Sequence, residues 1–287
     1  MGLEAGEIGT MNRLPLSHRT QQVLRLVAAV LITLAFVFPI YWLAMNSFKT
    51  ADEIYNSPPI WWPSRLQWGN YLVLFKDGDV VSIYNSLVVA TFSTVLAMSL
   101  GTLCAYSLAR YQTGGDQLSN WIISQRMVPP IAVVFPIFLL YVFLGWVDTY
   151  VGMILLYTAF NLPYVIWMMR GYIQDIPRSL EEAALVDGCT QWEVFYKVVL
   201  PMCKGGLFAT AIFTFIFAWN EFLFALVLTR TEVTTYTVQV THYFGGQSNF
   251  WTKIAAMSVL GTLPVFTAVV FMQKYLVRGI SLGAVKG

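Results

Sequence analysis

The chain has 287 residues, of which 57% are hydrophobic and only 11% charged, with a net charge of +2. A globular domain carries about 25% charged and about 45–50% apolar residues, so these side chains cannot clothe a soluble core of this size. The balance excludes a soluble monomer, a disordered chain and a nucleic-acid binder, which needs a basic footprint; it predicts an all-α polytopic membrane protein.

Residues 1–22 read as a polar, irregular N-terminal segment. A membrane-crossing helix needs about 20 apolar residues, and six runs come near that length. The first, Leu26–Met45, predicts a helix over residues 23–46. A signal-peptide core has only about 7–15 apolar residues, and no A-x-A site follows, so this run reads as a retained anchor. The loop Asn46–Ser82 carries Pro58, Pro59 and Pro63 with Trp61, Trp62 and Trp68, aromatics suited to a membrane interface. Ile83–Leu108 is the second run, and Ala109–Leu118 the connection after it. Met127–Val147 is the third, kinked by Pro129, Pro130 and Pro136. Arg126 at its start reads either as a snorkelling side chain or as a partner for a carboxylate at a subunit interface or for a cytoplasmic protein. Asp148-Thr149-Tyr150 separates it from the fourth run, Val151–Met169, where Asn161-Leu162-Pro163 kinks the helix and frees carbonyls toward a polar path. The fifth, Gly205–Leu228, holds one acid, Glu221, and the sixth is Ile254–Met272. The runs are continuous rather than alternating, which excludes a β-barrel. Cys104, Cys189 and Cys203 are too scattered for a metal site or disulfide framework and read as small buried hydrophobes.

Six spans place both termini on one side. With Arg126 left out, eleven of the lysines and arginines fall on that side and five on the other. The positive-inside rule then puts both ends in the cytoplasm.

The largest inner loop reads IPRSLEEAALVDGCTQWEVFYKVVLP from Ile176 to Pro201. Pro177 ends the preceding helix. Ser179 and Glu182 have capping-box spacing, which predicts a helix from Leu180, and Gly188 suits a left-handed C-terminal cap. Thr190 and Glu193 predict a second box. Trp192, Phe195, Tyr196 and Val199 then form one apolar face, and Pro201 ends that helix. The first of these helices is too short to stand alone in water. Ala183 and Ala184 offer a shallow surface for a partner; the alternative, a helix lying on anionic headgroups, conflicts with Glu181, Glu182 and Asp187.

Glu182-Ala183-Ala184, three residues, Gly188, nine residues, Val198, one residue, Leu200-Pro201 resembles the EAA motif of binding-protein-dependent ABC importers, EAA-x3-G-x9-I-x-LP, departing only at Val198. Phe38-Pro39-Ile40-Tyr41-Trp42, Ser47-Phe48-Lys49-Thr50, Trp219-Asn220-Glu221-Phe222 and Gly283-Ala284-Val285-Lys286-Gly287 are similar to the carbohydrate-uptake branch, of the MalG type. The resemblance implies a type I ABC importer permease fold in a bacterial inner membrane. Its core would span residues 82–276, with a coupling loop over 171–204 and a cytoplasmic tail over 277–287. It also implies a second permease subunit in a heterodimer, a cytoplasmic ATPase dimer that holds ATP and magnesium, and an extracytoplasmic solute-binding protein. Glu182, Ala183, Ala184, Asp187, Gly188, Leu200 and Pro201 would then couple to the ATPase. The outer loop Thr229–Trp251, with Tyr243, Gly245, Gly246 and Gln247, would reach the binding protein; its aromatic and polar mixture also suits a plain interfacial belt.

The chain itself shows no phosphate loop, no catalytic motif and no cofactor or metal site. An ion-coupled secondary transporter is the rival reading, but only Glu221 and Arg126 are ionisable at membrane depth. Along a continuous fifth helix, Asn220 would lie about 22 Å above Gly205, in the outer half of the bilayer. Trp219, Asn220 and Glu221, with Asn161, are therefore candidates for the translocation path of a sugar, a ring stacking on its apolar face while amide and acid take hydroxyls. An interhelical bond that locks the fifth helix to the partner permease explains the same residues. A polyol or a glycerophosphodiester fits the same architecture.

Overall fold

The computed structural model describes residues 18–244 and 250–283, and every regular element among them is helical. In chain order these are α1 (His18–Ser47), α2 (Ala51–Tyr55), α3 (Gly69–Lys76), α4 (Val81–Arg110) and α5 (Gly115–Ser124). A 3-10 turn, Gln125–Met127, leads to α6 (Pro130–Leu144), α7 (Tyr150–Gln174), α8 (Arg178–Val186) and α9 (Gln191–Val194). A π-helical turn, Phe195–Val199, joins α9 to α10 (Leu200–Met202) and α11 (Lys204–Trp219). The described chain closes with α12 (Leu223–Leu228), α13 (Tyr236–His242) and α14 (Phe250–Gly283).

Among the described residues α1, α4, α7 and α14 are long and apolar enough to cross a membrane, and up to six crossings result if each of two bent pairs makes one. The expected irregular segment 1–22 is helical from His18, because His18–Gln22 lack proline and glycine and continue the helix below its apolar stretch. The third run is not straight. Val128 and Pro129 are extended, with ψ of 122° and 124°, because each precedes a proline, and α6 leaves its lead-in at 91°. The fifth run is interrupted as well: α11 ends at Trp219 and α12 starts afresh at Leu223. The expected height of Asn220 thus holds along α11 only, and Glu221 lies in the break.

The longest packed pair is α4 against α7. A Cβ at Gly101 of α4 would sit 2.6 Å from Val165 Cγ1, so the missing side chain is what lets the two backbones close. One apolar cluster, with Met153, Leu156, Tyr157, Trp219, Phe224 and Leu228, fills the half of the bundle nearest Asp148. Another, with Val165, Met169, Ile173, Val194 and Val199, fills the end that carries residues 175–203, called here the inner end. By contrast α1 rests mainly on α14 and its central apolar stretch is unburied. Its far end is fixed by polar contacts. Lys49 is 1% exposed, with Nζ 2.8 Å from Asn46 Oδ1 and 4.1 Å above the Trp42 ring. The Asn70 amide donates to the carbonyls of Ser47 and Lys49, tying α3 to the same corner.

Candidate functional site

Residues 175–203 project from the inner end. The expected Ser179–Glu182 capping box is not made: α8 starts directly after Pro177, with no side-chain cap. Proline already fixes a non-helical entry, so the helix needs no Ser179 switch there. The neighbouring acid, Glu181, is buried instead. Its Oε1 accepts from Arg110 Nε at 2.5 Å and its Oε2 from Tyr106 Oη at 3.1 Å, while Arg110 Nη2 donates to the Ile176 carbonyl. At the other end of α8, Gly188 takes φ +88°, a conformation only glycine adopts without strain. This turn lets Gly188 N–H reach the Leu185 carbonyl and Cys189 N–H the Ala184 carbonyl, each at 3.0 Å.

The Thr190–Glu193 box forms, and Lys197, followed by the Thr190 donors, holds the Glu193 carboxyl down to about 2. The apolar face beyond it differs from expectation. Val194, Phe195 and Val199 are buried, whereas Trp192 and Tyr196 are exposed. The π-helical turn inserts one residue per turn and rotates the face. Glu182, Ala183, Asp187 and Pro201 are exposed, Ala184 and Leu200 half-buried, and Val186 reaches 88% exposure. Glu181 thus anchors α8 to α4, and Glu182, Ala183 and Val186 are left facing outward.

The second feature is a cavity of about 810 Å³ between α6, α7 and α11, lined by Arg126, Tyr157, Phe160, Asn161, Phe217 and Glu221 among others. Glu221 Oε1 accepts from Phe224 N–H at 3.0 Å; Oε2 accepts from Ala225 N–H at 3.1 Å and from Tyr157 Oη at 2.9 Å. The carboxylate therefore caps α12 and ties it to α7. Buried Asn161 donates to the Tyr157 carbonyl at 2.9 Å. Arg126 lies 5.0 Å from the Phe217 ring and 5.5 Å from the Tyr164 ring, and Nη1 donates to the Phe160 carbonyl at 3.2 Å. The residue is exposed, with its guanidinium beside the two rings at the cavity rim.

Two of the four expected path residues do not line this cavity. Trp219 is 1% exposed; Nε1 donates to the Gly261 carbonyl at 3.1 Å and its ring stacks on Tyr236 at 4.8 Å. It joins α11 to α14 within the chain. Exposed Asn220 turns back to the Ile216 carbonyl. Trp219 closes α11, Asn220 caps it and Glu221 lies in the break before α12, so the three side chains do not face one space.

At the opposite end, Asp148 (φ +57°) accepts from the backbone N–H groups of Arg230, Thr231, Glu232 and Val233 at 2.9–3.1 Å. Its own N–H donates to the Leu228 carbonyl at 2.8 Å. Burial alone would raise this carboxyl, but the four donors outweigh it and hold the group below the usual value. Nothing local in the sequence marks Asp148 beyond a polar turn, because its partners are backbone amides more than 80 positions away. Tyr243, expected to touch a partner, is 5% exposed and packs with Leu74, Ala256 and Met257. It caps the C-terminal end of α13, and its ring is buried there. Gly245, Gly246 and Gln247 lie outside the described residues.

Residues 97–282 match the family described as binding-protein-dependent transport system inner membrane component. The chain is 34% identical over 275 residues to the probable ABC transporter permease protein y4oR of Sinorhizobium fredii, covering 94% of this chain and 98% of that one. It is 34% identical over 267 residues to the sulfoquinovosyl glycerol transport system permease protein SmoH of Agrobacterium fabrum, covering 92% and 94%. To the trehalose/maltose transport system permease protein MalG of Thermococcus litoralis it is 31% identical over 273 residues, covering 93% and 98%. Among solved structures, a bacterial ABC transporter for import of the acidic polysaccharide alginate aligns with a TM-score of 0.75 at 24% identity, covering 91% of this chain and 99% of that one.

Proposed function

The chain belongs to the family of binding-protein-dependent transport system inner membrane components, and from that premise we propose that it forms half of a carbohydrate path through the membrane, paired with a second permease. Membership sets aside the ion-coupled alternative, in which the exposed α8 has no role. The observation that carries the carbohydrate reading is the cavity between α6, α7 and α11, where Tyr157, Phe160 and Phe217 stand beside Glu221 and Asn161. Ring faces take the apolar face of a pyranose, while carboxylate and amide order its hydroxyls. The names of the relatives SmoH and MalG support a sugar as the solute.

In this reading both termini are cytoplasmic, and α8 docks on a separate ATPase dimer through Glu182, Ala183 and Val186. ATP and magnesium act there, and this chain performs no covalent step. Closure of the dimer moves α8; the Arg110–Glu181 pair passes that movement to α4, and α4 to α7 along their shared face. A solute-binding protein delivers sugar at the Asp148 end. Tyr157 and Glu221 hold α12 against α7 at the cavity wall, where a shift of α7 changes access.

The test is reconstitution of this chain with its second permease, ATPase and binding protein. Labelled sugar is expected to accumulate in proteoliposomes only with ATP and binding protein present. ATP hydrolysis stimulated by the binding protein without accumulation of any sugar, neutral or charged, would overturn the carbohydrate assignment.

A further inference from the structure

We infer that the cavity takes a carbohydrate bearing an anionic group, and that Arg126 is the residue that binds that group. The inference rests on the carbohydrate reading above and specifies its substrate class.

The 91° bend at Val128-Pro129-Pro130 turns the 3-10 turn toward the cavity, so Arg126 enters at the rim. Two rings flank its guanidinium, Phe217 at 5.0 Å and Tyr164 at 5.5 Å. A guanidinium carries five N–H donors, and one of them is spent on the Phe160 carbonyl. Among the described residues no carboxylate lies within the 4.0 Å of an ion pair with Arg126. The cavity's own acid is not within ion-pair distance of Arg126; Glu221 is held instead by Tyr157 Oη and the amides of α12.

The cavity thus presents a guanidinium cation at one part of its wall, and at another a carboxylate anchored to α7 and α12 with acceptor capacity to spare. A guanidinium with no counter-ion at the rim of a largely apolar cavity is a favourable place for an anion to bind. The guanidinium edge matches the planar or trigonal oxygens of a carboxylate, sulfonate or phosphate in bidentate fashion. Glu221 repels the same group, which sets the direction of the sugar: anion at Arg126, neutral hydroxyls toward Asn161 and Glu221. The volume of about 810 Å³ accommodates a mono- or disaccharide with its substituent.

The experiment uses the complete transporter in proteoliposomes. A panel of labelled neutral disaccharides, uronic-acid disaccharides and sugar phosphates is first screened for thermal stabilisation of the binding protein, and the sugars selected are then assayed for ATP-driven uptake. The expected result is that an anionic member is selected and accumulated; the uronic acid and phosphate arms distinguish which anion it is. Arg126→Gln is expected to lower that uptake about tenfold or more, with Arg126→Lys in between, while the complex still purifies with both permeases and the ATPase. Selection and uptake of neutral sugars alone would overturn the inference and leave the carbohydrate reading standing. If neither class accumulates while ATP hydrolysis persists, both fall. Loss of the second permease from purified Arg126→Gln would instead make Arg126 half of an ion pair between subunits and overturn the inference.

Discussion

Arg110 and Glu181 form a buried ion pair, with side chains 7% and 10% exposed, between the last turn of α4 and the first turn of α8. Glu181 is the neighbour of the motif glutamate, not the motif glutamate itself. Removing one member of a buried pair strands the other charge and typically costs about 3–5 kcal/mol. Glu181→Ala and Arg110→Ala should each lower the thermal midpoint of the purified complex markedly, whereas the double variant should lose less than their sum. Strict additivity in that cycle would show that the pair does not hold the two helices together.

Glu182 is expected to behave in the opposite way. Its side chain is exposed, so Glu182→Lys removes no contact within the chain. The variant should insert and melt like the native protein yet lose ATP-coupled uptake, because a docking partner that receives a carboxylate meets an ammonium. Normal uptake, with normal stimulation of ATP hydrolysis, would remove Glu182 from the docking surface.

What was legible in the sequence is what short-range chemistry decides. Gly188 needs only its own φ, and the Thr190–Glu193 box only three residues of spacing. The prolines at 129 and 130 announced a kink, but its 91° depends on what Arg126 and α6 then pack against. Glu181 and Glu182 cannot be told apart locally, since the choice is made by Arg110, which lies 71 positions away. Asp148 likewise acquires its role from backbone amides 82 to 85 positions downstream. The triplet at 219–221 looked like one polar site, and helix geometry sent its members in different directions.

The clamp at Asp148 has a pH signature. Its pKa is depressed in the folded chain, so its stabilising contribution is fully present above the unfolded value, about 3.9, and is lost as pH falls through the lower folded value. Asp148→Asn keeps one acceptor oxygen for four N–H groups and should lower the thermal midpoint at pH 7. The gap between native and variant should narrow as pH drops below about 4, where the unfolded chain begins to take up a proton that the folded carboxyl accepts only at lower pH. Trypsin should also cut more readily after Arg230 in the variant at pH 7.5. A midpoint gap that did not depend on pH would mean that the charge on Asp148 plays no part in the clamp.

Glu221 stands where α11 breaks, and its two oxygens collect three donors: Tyr157 Oη, Phe224 N–H and Ala225 N–H. The two amides are first-turn donors of α12 that no backbone carbonyl can reach, so the carboxylate is what lets the helix restart inside an apolar run. Glu221→Ala would leave these groups unpaired, each at about 1–3 kcal/mol, and should loosen α12 from α7 with loss of complex stability. Glu221→Gln retains Oε1 and puts an NH₂ where an acceptor is needed, so one amide or the tyrosine loses its partner and the loss should be intermediate. Tyr157→Phe removes a single donor and should cost least on its own. Combined with Glu221→Gln it should cost less than the sum, because the substituted amide no longer has to choose between Tyr157 and α12. If Glu221→Gln matched the native complex in stability while sugar uptake collapsed, Glu221 would be a substrate ligand first and a cap second, and the structural role assigned to it would be wrong.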